Sequence, residues 1–439
     1  MELLQIQELQ PIINIGVIGH VSNGKSSIVK GVTGIATQKY ESEKEKNITI
    51  KLGYANAKIY KCHICKVPSC YQTGPSKEFN KNCNICDSAM ELVRHVSFVD
   101  APGHIRFMST MISGKCIMDT TILVEAINNA NLPAPQTLEH INAITIGGVP
   151  NHIVCLNKCD LVDKETALAK IKILNDAFSS TILKNSPMVP ISATFGINMD
   201  VLCEYIANIP VPIRNHNTDV KMIIVRSFNV NKAGINVKDI QGGVIGGSII
   251  NGKLNIGDEV ELRPGFRNEI SCDENSNNSN NSTGKKSKKY KERWSFTPLK
   301  ARVLSIHSEE NKLQSAIPGG LIGVQLDIDP SLTAGDGLIG NLLTKIDKGY
   351  DVYEEFAINY KTVESINDIL EVNDKIQINI NACNTNGIVT KFFKEDNIVV
   401  IKLDFPVSAG LDDNLTICNN GRIFAIGKIV DGFKSILIS

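Results

Sequence analysis

Gly19-His20-Val21-Ser22-Asn23-Gly24-Lys25-Ser26 follows the apolar run 12–18 and has the residue types needed to hold a chain of phosphates. Glycines at both ends let the backbone wrap closely, so that successive N–H groups face phosphate oxygens. Lys25 has the reach for the β- and γ-phosphates, and the Ser26 hydroxyl is a ligand for Mg²⁺. Asn23, Gly24, Lys25, Ser26 and Ser27 are therefore the candidate phosphate contacts, and a helix opening near Lys25 adds its positive end.

Three further clusters follow, each tied to an apolar run. The segment 37–46 is polar and ends in Asn47-Ile48-Thr49-Ile50, where a threonine on a mobile loop can close over Mg²⁺ and the γ-phosphate. Thr49 is the candidate for that contact, although a β-branched residue also simply opens a strand. Val96–Val99 runs into Asp100-Ala101-Pro102-Gly103-His104. Asp100 can hold Mg²⁺ through water, and the Gly103 N–H can meet the γ-phosphate. His104 can orient an attacking water or be only a turn residue. After 153–156 comes Asn157-Lys158-Cys159-Asp160. Guanine offers two adjacent donors that one carboxylate accepts together, so Asp160 is the base selector. Asn157 fixes the loop, the Lys158 stem lies along the ring, and the Ser192-Ala193 backbone meets the base oxygen. The expected ligands are GTP or GDP with Mg²⁺ held by Ser26, Thr49 and Asp100, and the expected chemistry is GTP cleavage.

A separate constellation lies between Thr49 and Asp100: Cys62-His63-Ile64-Cys65 and Cys83-Asn84-Ile85-Cys86. Two such pairs bring four thiolates to one tetrahedral Zn²⁺. Cys62, Cys65, Cys83 and Cys86 are the nominated ligands, with Cys70 and His63 as possible replacements. The segment is too polar for a core of free thiols, and the expected role is structural.

The rest of the chain must position these groups. With 439 residues, 42% hydrophobic and 21% charged, it is long enough for two or three domains and ordinary for a globular protein. Lysine plus arginine equals aspartate plus glutamate, 46 each, which excludes a wholly basic nucleic-acid glove. The absence of a long apolar run or of a basic, apolar leader predicts no membrane contact and a cytoplasmic location. Twelve cysteines, five of them between Cys62 and Cys86, fit reduced thiols plus one metal site.

Strands at 12–18, 96–99, 153–156 and 189–191, alternating with helices such as Lys25–Gly34, predict a doubly wound, mostly parallel α/β sheet with its ligand at the strands' carboxyl ends. Pro210-Val211-Pro212 closes it. Alternating strands then predict a β-barrel, interrupted at 273–293 by an asparagine/serine run and a lysine cluster, either a solvated loop or an RNA contact. From Asp351 a second barrel is expected. The predicted domains are 1–213 with the cysteine knuckle at 60–88, 214–346, and 347–439.

The chain resembles the γ-subunit family of eukaryotic and archaeal translation initiation factor 2, from about Ile12 to Val430. The likeness is carried by Gly19-His20-Val21 with Gly24-Lys25-Ser26, by the stretch 47–57, and by Val93 to Asp100. Pro135-Gln136-Thr137 with Glu139-His140, the stretches 225–228 and 241–248, and Ala316 to Val324 add to it. What the resemblance implies is a carrier of methionyl initiator tRNA that works with α and β subunits and delivers to the small ribosomal subunit. It further implies slow GTP hydrolysis until an activating factor acts, an exchange factor, and a Tyr54 that lines the aminoacyl-end pocket. A tRNA holder with little hydrolysis, or a selenocysteine-specific elongation factor, are the alternatives. The sequence departs from the family pattern at Asn23, Ala101, Ile105 and Ala130, which bears on the hydrolysis rate and its activation.

Overall fold

The computed structural model describes residues 3–37, 49, 51–232, 234–272, 291–362, 370–393, 395–411, 413–419 and 422–438. Its first part is a seven-stranded sheet of β1 (Ile13–Ile18), β2 (Gly53–Lys61), β3 (Tyr71–Gly74), β4 (Glu91–Asp100), β5 (Thr120–Ala126), β6 (Asn151–Asn157) and β7 (Met188–Pro190), in the order β3-β2-β4-β1-β5-β6-β7. Strands β1 and β5 are buried along their whole length, as a strand covered on both faces must be. Among the described residues the helices are α1 (Leu3–Leu9), α2 (Lys25–Thr33), α3 (Met108–Lys115), α4 (Pro135–Gly147), α5 (Lys164–Phe178) and α6 (Met199–Ala207). Glycine ends α2 as its position suggested: Gly34 takes φ 75° and donates its N–H to Lys30 O.

β4, β1, β5, β6 and β7 run parallel, and the edge does not. The segment after Thr49 turns into β2, antiparallel to a β4 that begins at Glu91, and β3 adds antiparallel to β2. The knuckle grows from this hairpin edge. Asp100 pairs with Val17 on one side and with Gly53 on the other, so the segment after Thr49 is registered directly on the aspartate.

Two six-stranded barrels follow. The first closes through Lys221–Phe228, Val244–Asn251, Glu259–Cys272, Lys291–Ser308, Ile322–Leu326 and Leu342–Lys345. Residues 273–290 of the expected insertion lie outside the described residues. Its last three do not interrupt the barrel, because the flanking strands pair out to Cys272 and Lys291 as one long hairpin. The second barrel runs from Val352–Thr362 to Arg422–Lys434. The chain then returns, and Ile436 and Leu437 pair in parallel with Ser295 and Phe296 of barrel one. One apolar cluster is shared by all three parts, joining Met111 and Ile112 of α3 to Ile223 and Val225 of barrel one and Ala382 and Cys418 of barrel two.

Candidate functional site: a phosphate loop, a hydroxyl and carboxylate cluster and a thiol knuckle

The phosphate loop is shaped by contacts that only glycine tolerates. Gly19 has φ 133°, and a Cβ there would lie 2.3 Å from Val124 O. Gly24, at φ 96°, precedes α2, and its Cβ would lie 2.1 Å from Asn157 Nδ2. The loop and the base-selecting loop are thus pressed together. Asn157 Nδ2 donates to Asn23 O at 2.9 Å, and Asn157 Oδ1 accepts from Ala193 N at 3.1 Å.

Lys25 is buried and donates from Nζ to Gly19 O and His20 O, each at 2.9 Å. Burial pulls its pKa down to about 8, against the opposing pull of the Asp100 and Glu125 carboxylates. The Ser26 hydroxyl donates to Asp100 Oδ2 at 2.6 Å and lies 3.1 Å from Thr49 Oγ1. A fourth oxygen was not expected: Thr37 Oγ1 donates to the same Asp100 Oδ2 at 2.6 Å. The donor set of three hydroxyls and one carboxylate is entirely hard oxygen, which fits Mg²⁺. When bound, that ion neutralises charge developing on the transferred phosphoryl group.

Gly103 lies against the loop from the other side. A Cβ on it would meet Lys25 Nζ at 2.3 Å and Gly19 O at 2.7 Å. His104 is half-buried at the cavity edge, and its Nδ1 accepts from Arg106 N at 3.2 Å, which leaves Nε2 as the atom available to a water. The cavity measures about 420 Å³ and is lined by Gly24, Lys25, Ser26, Thr49, Gly103 and His104, with Ser27, Thr37, Asn157, Lys158 and Thr194 also on its wall. Asp160 is exposed in the turn Cys159–Leu161, beyond this lining, and its carboxylate bonds to nothing among the described residues. Ser192 is buried and Ala193 half-buried on the adjoining loop, which is held by Cys159 N donating to Ile191 O at 3.1 Å.

Asn23, nominated as a phosphate contact, is not on the cavity wall, and its side chain is bonded within the protein. Asn23 is buried and donates to Val124 O at 2.8 Å and Glu125 Oε2 at 3.1 Å, while its own Oδ1 accepts from Asn129 Nδ2 at 3.2 Å. Glu125 also accepts from the Thr137 hydroxyl and from Ala134 N. Gly19 N donates to His140 Nδ1 at 3.0 Å, and burial drives that imidazole's pKa down to about 3, so it stays neutral and able to accept. Thr137 and His140 fall in a stretch that carries the family likeness, while Thr37 is only the first hydroxyl after the glycine that ends α2.

In the knuckle, the Sγ atoms of Cys62, Cys65, Cys83 and Cys86 all lie within 4.8 Å of one another, with Cys62–Cys86 at 3.5 Å and Cys65–Cys83 at 3.7 Å. Four thiolates on one tetrahedral Zn²⁺ sit about 3.8 Å apart, so the donor set fits that ion. Ser88 Oγ lies 3.2 Å from Cys62 Sγ, and Gln72 Nε2 donates to Cys83 Sγ at 3.3 Å. Both are supports that the cysteine spacing did not reveal. Neither possible replacement joins this group of four: Cys70 lies outside it, and His63 Nε2 lies 2.8 Å from a Glu91 carboxylate oxygen.

Tyr54, on β2, is on the wall of a larger cavity of about 860 Å³ between the sheet and barrel one, lined also by Lys51, Leu52, Arg226, Phe228 and His307, and its side chain packs against the apolar cluster shared by the three parts. Burial raises its phenol pKa, and the hydroxyl has no partner among the described residues.

The model of the elongation factor Tu GTP binding domain matches residues 10–211. The chain is 38% identical to eukaryotic translation initiation factor 2 subunit gamma of Schizosaccharomyces pombe, over 98% of each chain. It is 36% identical to translation initiation factor 2 subunit gamma of Methanococcus vannielii, over 93% of this chain and 95% of that one. Among solved structures, a bacterial selenocysteine-specific elongation factor superposes with a TM-score of 0.69 at 21% identity, over 96% of this chain and 59% of that one. Elongation factor SelB of Methanococcus maripaludis, in complex with a GTP analogue, superposes with a TM-score of 0.68 at 20% identity, over 97% and 80%. At these identities the two structures speak for the fold alone.

Proposed function

We infer, from the premise that this chain belongs to the γ-subunit family of translation initiation factor 2, that it binds methionyl initiator tRNA when GTP is bound and delivers it to the small ribosomal subunit. Membership makes the chain a GTPase of translation initiation. The observation that carries the finer reading is the wall of the larger cavity. Lys51, Leu52, Gly53 and Tyr54 line it, and they begin two residues after Thr49, whose hydroxyl lies against Ser26. A pocket wide enough for an aminoacylated end therefore shares a segment with the nucleotide site, which is what a GTP-gated grip requires.

In this reading Lys25 and the loop N–H groups hold the β- and γ-phosphates, and Ser26, Thr49 and Asp100 hold Mg²⁺ with Thr37 supporting Asp100. Gly103 meets the γ-phosphate, and His104 orients the attacking water through Nε2. Asp160 selects guanine, Tyr54 lines the tRNA pocket, and the four thiolates hold Zn²⁺. α and β subunits, activating and exchange factors and a cytoplasmic setting complete the proposal. Among the described residues, no helix is long and apolar enough to cross a membrane.

A filter-retention assay with methionyl initiator tRNA tests it. Retention with a non-hydrolysable GTP analogue and loss with GDP is expected, and equal retention with GTP, GDP or no nucleotide would overturn it.

A further inference from the structure

Glu125 is a fully buried carboxylate near the carboxyl end of β5, behind the phosphate loop, and no contact with a nucleotide accounts for it. Both of its oxygens face donors. Oε2 accepts from Asn23 Nδ2 at 3.1 Å, while Oε1 accepts from Ala134 N at 3.2 Å and from the Thr137 hydroxyl. Burial pushes its pKa up, and those three bonds together with the Lys25 charge oppose the rise. Ala134 is the N-cap of α4 and Thr137 lies in its first turn, so the positive end of that helix favours the charge as well.

The partner on the loop is equally enclosed. Of the four residues between Gly19 and Gly24, only Asn23 is buried. Its amide is fully used: Nδ2 donates to Val124 O at 2.8 Å as well as to Glu125, and those two acceptors fix which way the amide points. Oδ1 accepts from Asn129 Nδ2 at 3.2 Å, and the Asn129 carbonyl is held in turn by Lys170 Nζ of α5 at 2.9 Å. The Asn23 carbonyl accepts from Asn157 Nδ2 at 2.9 Å. The glycines on either side take positive φ and bring no side chain, so the turn between them is tied to β5 through this one residue. Asn23 is also a position at which the sequence departs from the family pattern.

We propose that Glu125 and Asn23 form a charged brace that holds the phosphate loop in its wrapped shape before a nucleotide arrives, and that this brace sets how slowly GDP and GTP leave. Both are positioning residues, since neither lies on the wall of the nucleotide cavity. A loop without the brace has to be ordered by its ligand, and that cost appears as weaker binding, most of it in the dissociation rate. The effect falls on GDP and GTP alike, because the loop meets a β-phosphate that both carry, whereas closure of Gly103 concerns the terminal phosphate alone. The brace has this role only if residues 19–26 are the phosphate loop, as the proposed function holds.

Displacement of a fluorescent GDP, and of a fluorescent non-hydrolysable GTP analogue, by excess unlabelled nucleotide reads both release rates on the full-length protein with Mg²⁺. Glu125→Gln keeps the shape but turns an amide N–H toward one of the donors. It should speed both releases by about tenfold or more, the worth of one hydrogen bond to a charged group, with their ratio unchanged. Asn23→Ala should do at least as much, and the double variant should be no faster than Asn23→Ala, because the two residues act through one bond. Thr137→Val should also speed both releases and Thr137→Ser should not, which tests the brace with Glu125 and Asn23 left in place. Wild-type release rates in Glu125→Gln or Thr137→Val, a change in the release of one nucleotide only, or additive effects of Glu125→Gln and Asn23→Ala would overturn the brace while leaving the phosphate loop standing. Failure of the wild type to bind either nucleotide would overturn both.

Discussion

Gly103→Ala should separate the grip on a triphosphate from the grip on a diphosphate. The added Cβ would lie 2.3 Å from Lys25 Nζ, 2.7 Å from Gly19 O and 2.9 Å from Val21 N. A lysine tip can swing away, but the other two atoms belong to the backbone of the phosphate loop and cannot. The 103–104 loop must therefore back off by several tenths of an ångström to restore ordinary contact. Overpacking of this kind costs about 1–3 kcal/mol, which is roughly a 5- to 150-fold change in an equilibrium constant. The cost applies only where the loop is closed on the phosphate loop, so it should fall on a non-hydrolysable GTP analogue and spare GDP. Fluorescent analogues of both, titrated against wild type and variant, measure the ratio directly. If both affinities fall equally, or neither falls, Gly103 does not close over the terminal phosphate.

Three other outcomes follow from the same geometry. Asp160→Asn removes an ionised acceptor worth about 1.5–3 kcal/mol, so GTP affinity should drop by one to two orders of magnitude while xanthosine triphosphate affinity rises; unchanged guanine selectivity would remove Asp160 as the selector. With Lys25 depressed to about 8 in the free protein, its side chain is mostly neutral above pH 8 and must take up a proton to meet the phosphates. Affinity for GTP should accordingly fall, by up to about tenfold per pH unit, as pH rises beyond 8, and Lys25→Gln should be weak and flat over that range. Chelation of the knuckle's metal should raise hydrogen exchange between residues 60 and 91 and leave both barrels protected, whereas one cooperative unfolding transition of the whole chain would contradict a locally structural knuckle.

The four runs read as strands, which became β1, β4, β6 and β7, were legible because a parallel strand covered on both faces is mostly apolar, whereas β5 was not, because Thr120, Thr121 and Glu125 break its apolar run although all of it is buried. The antiparallel edge was not, because β2 is buried along a stretch that carries Asn56 and Lys58. Those side chains are satisfied only by distant partners, Asn56 by Ser97 and Ser308 and Lys58 by Glu78 O. In the site, motif spacing named the residues proposed to touch a ligand, since ligand chemistry dictates their types. It could not reveal those that touch only the protein. Glu125 and His140 act through single hydrogen bonds to Asn23 and Gly19, and nothing in the local pattern marks a carboxylate or imidazole for that use. Thr37 escaped because only the fold brings it to Asp100.

In the proposed function one carboxylate ties barrel one to the nucleotide site. Asp336 receives Lys51, Arg226 and the Ser227 N–H, the last at 3.1 Å, and Arg226 Nη1 also reaches Leu52 O at 3.4 Å. Burial pushes the Asp336 pKa up, but the Lys51 and Arg226 bonds outweigh it and hold it below the usual carboxylate range. Two residues of extended chain span at most about 7 Å, so a displacement of Thr49 by several ångströms cannot be absorbed before Lys51. Either Lys51 leaves Asp336 or barrel one follows. Lys51 is 43% exposed and its pair is screened, so this bond alone contributes no more than about 1 kcal/mol, and the more enclosed Arg226 contributes the larger part. Asp336→Asn should therefore compress the ratio of tRNA affinities measured with a GTP analogue and with GDP by roughly 5- to 10-fold, a free-energy change of about 1–1.4 kcal/mol, while leaving GDP affinity itself unchanged. A wild-type ratio in that variant would mean that the nucleotide signal reaches the barrel by another route, such as the bonds from α3 to barrel two through Asn379 to Ser113 and Lys115 to Thr416.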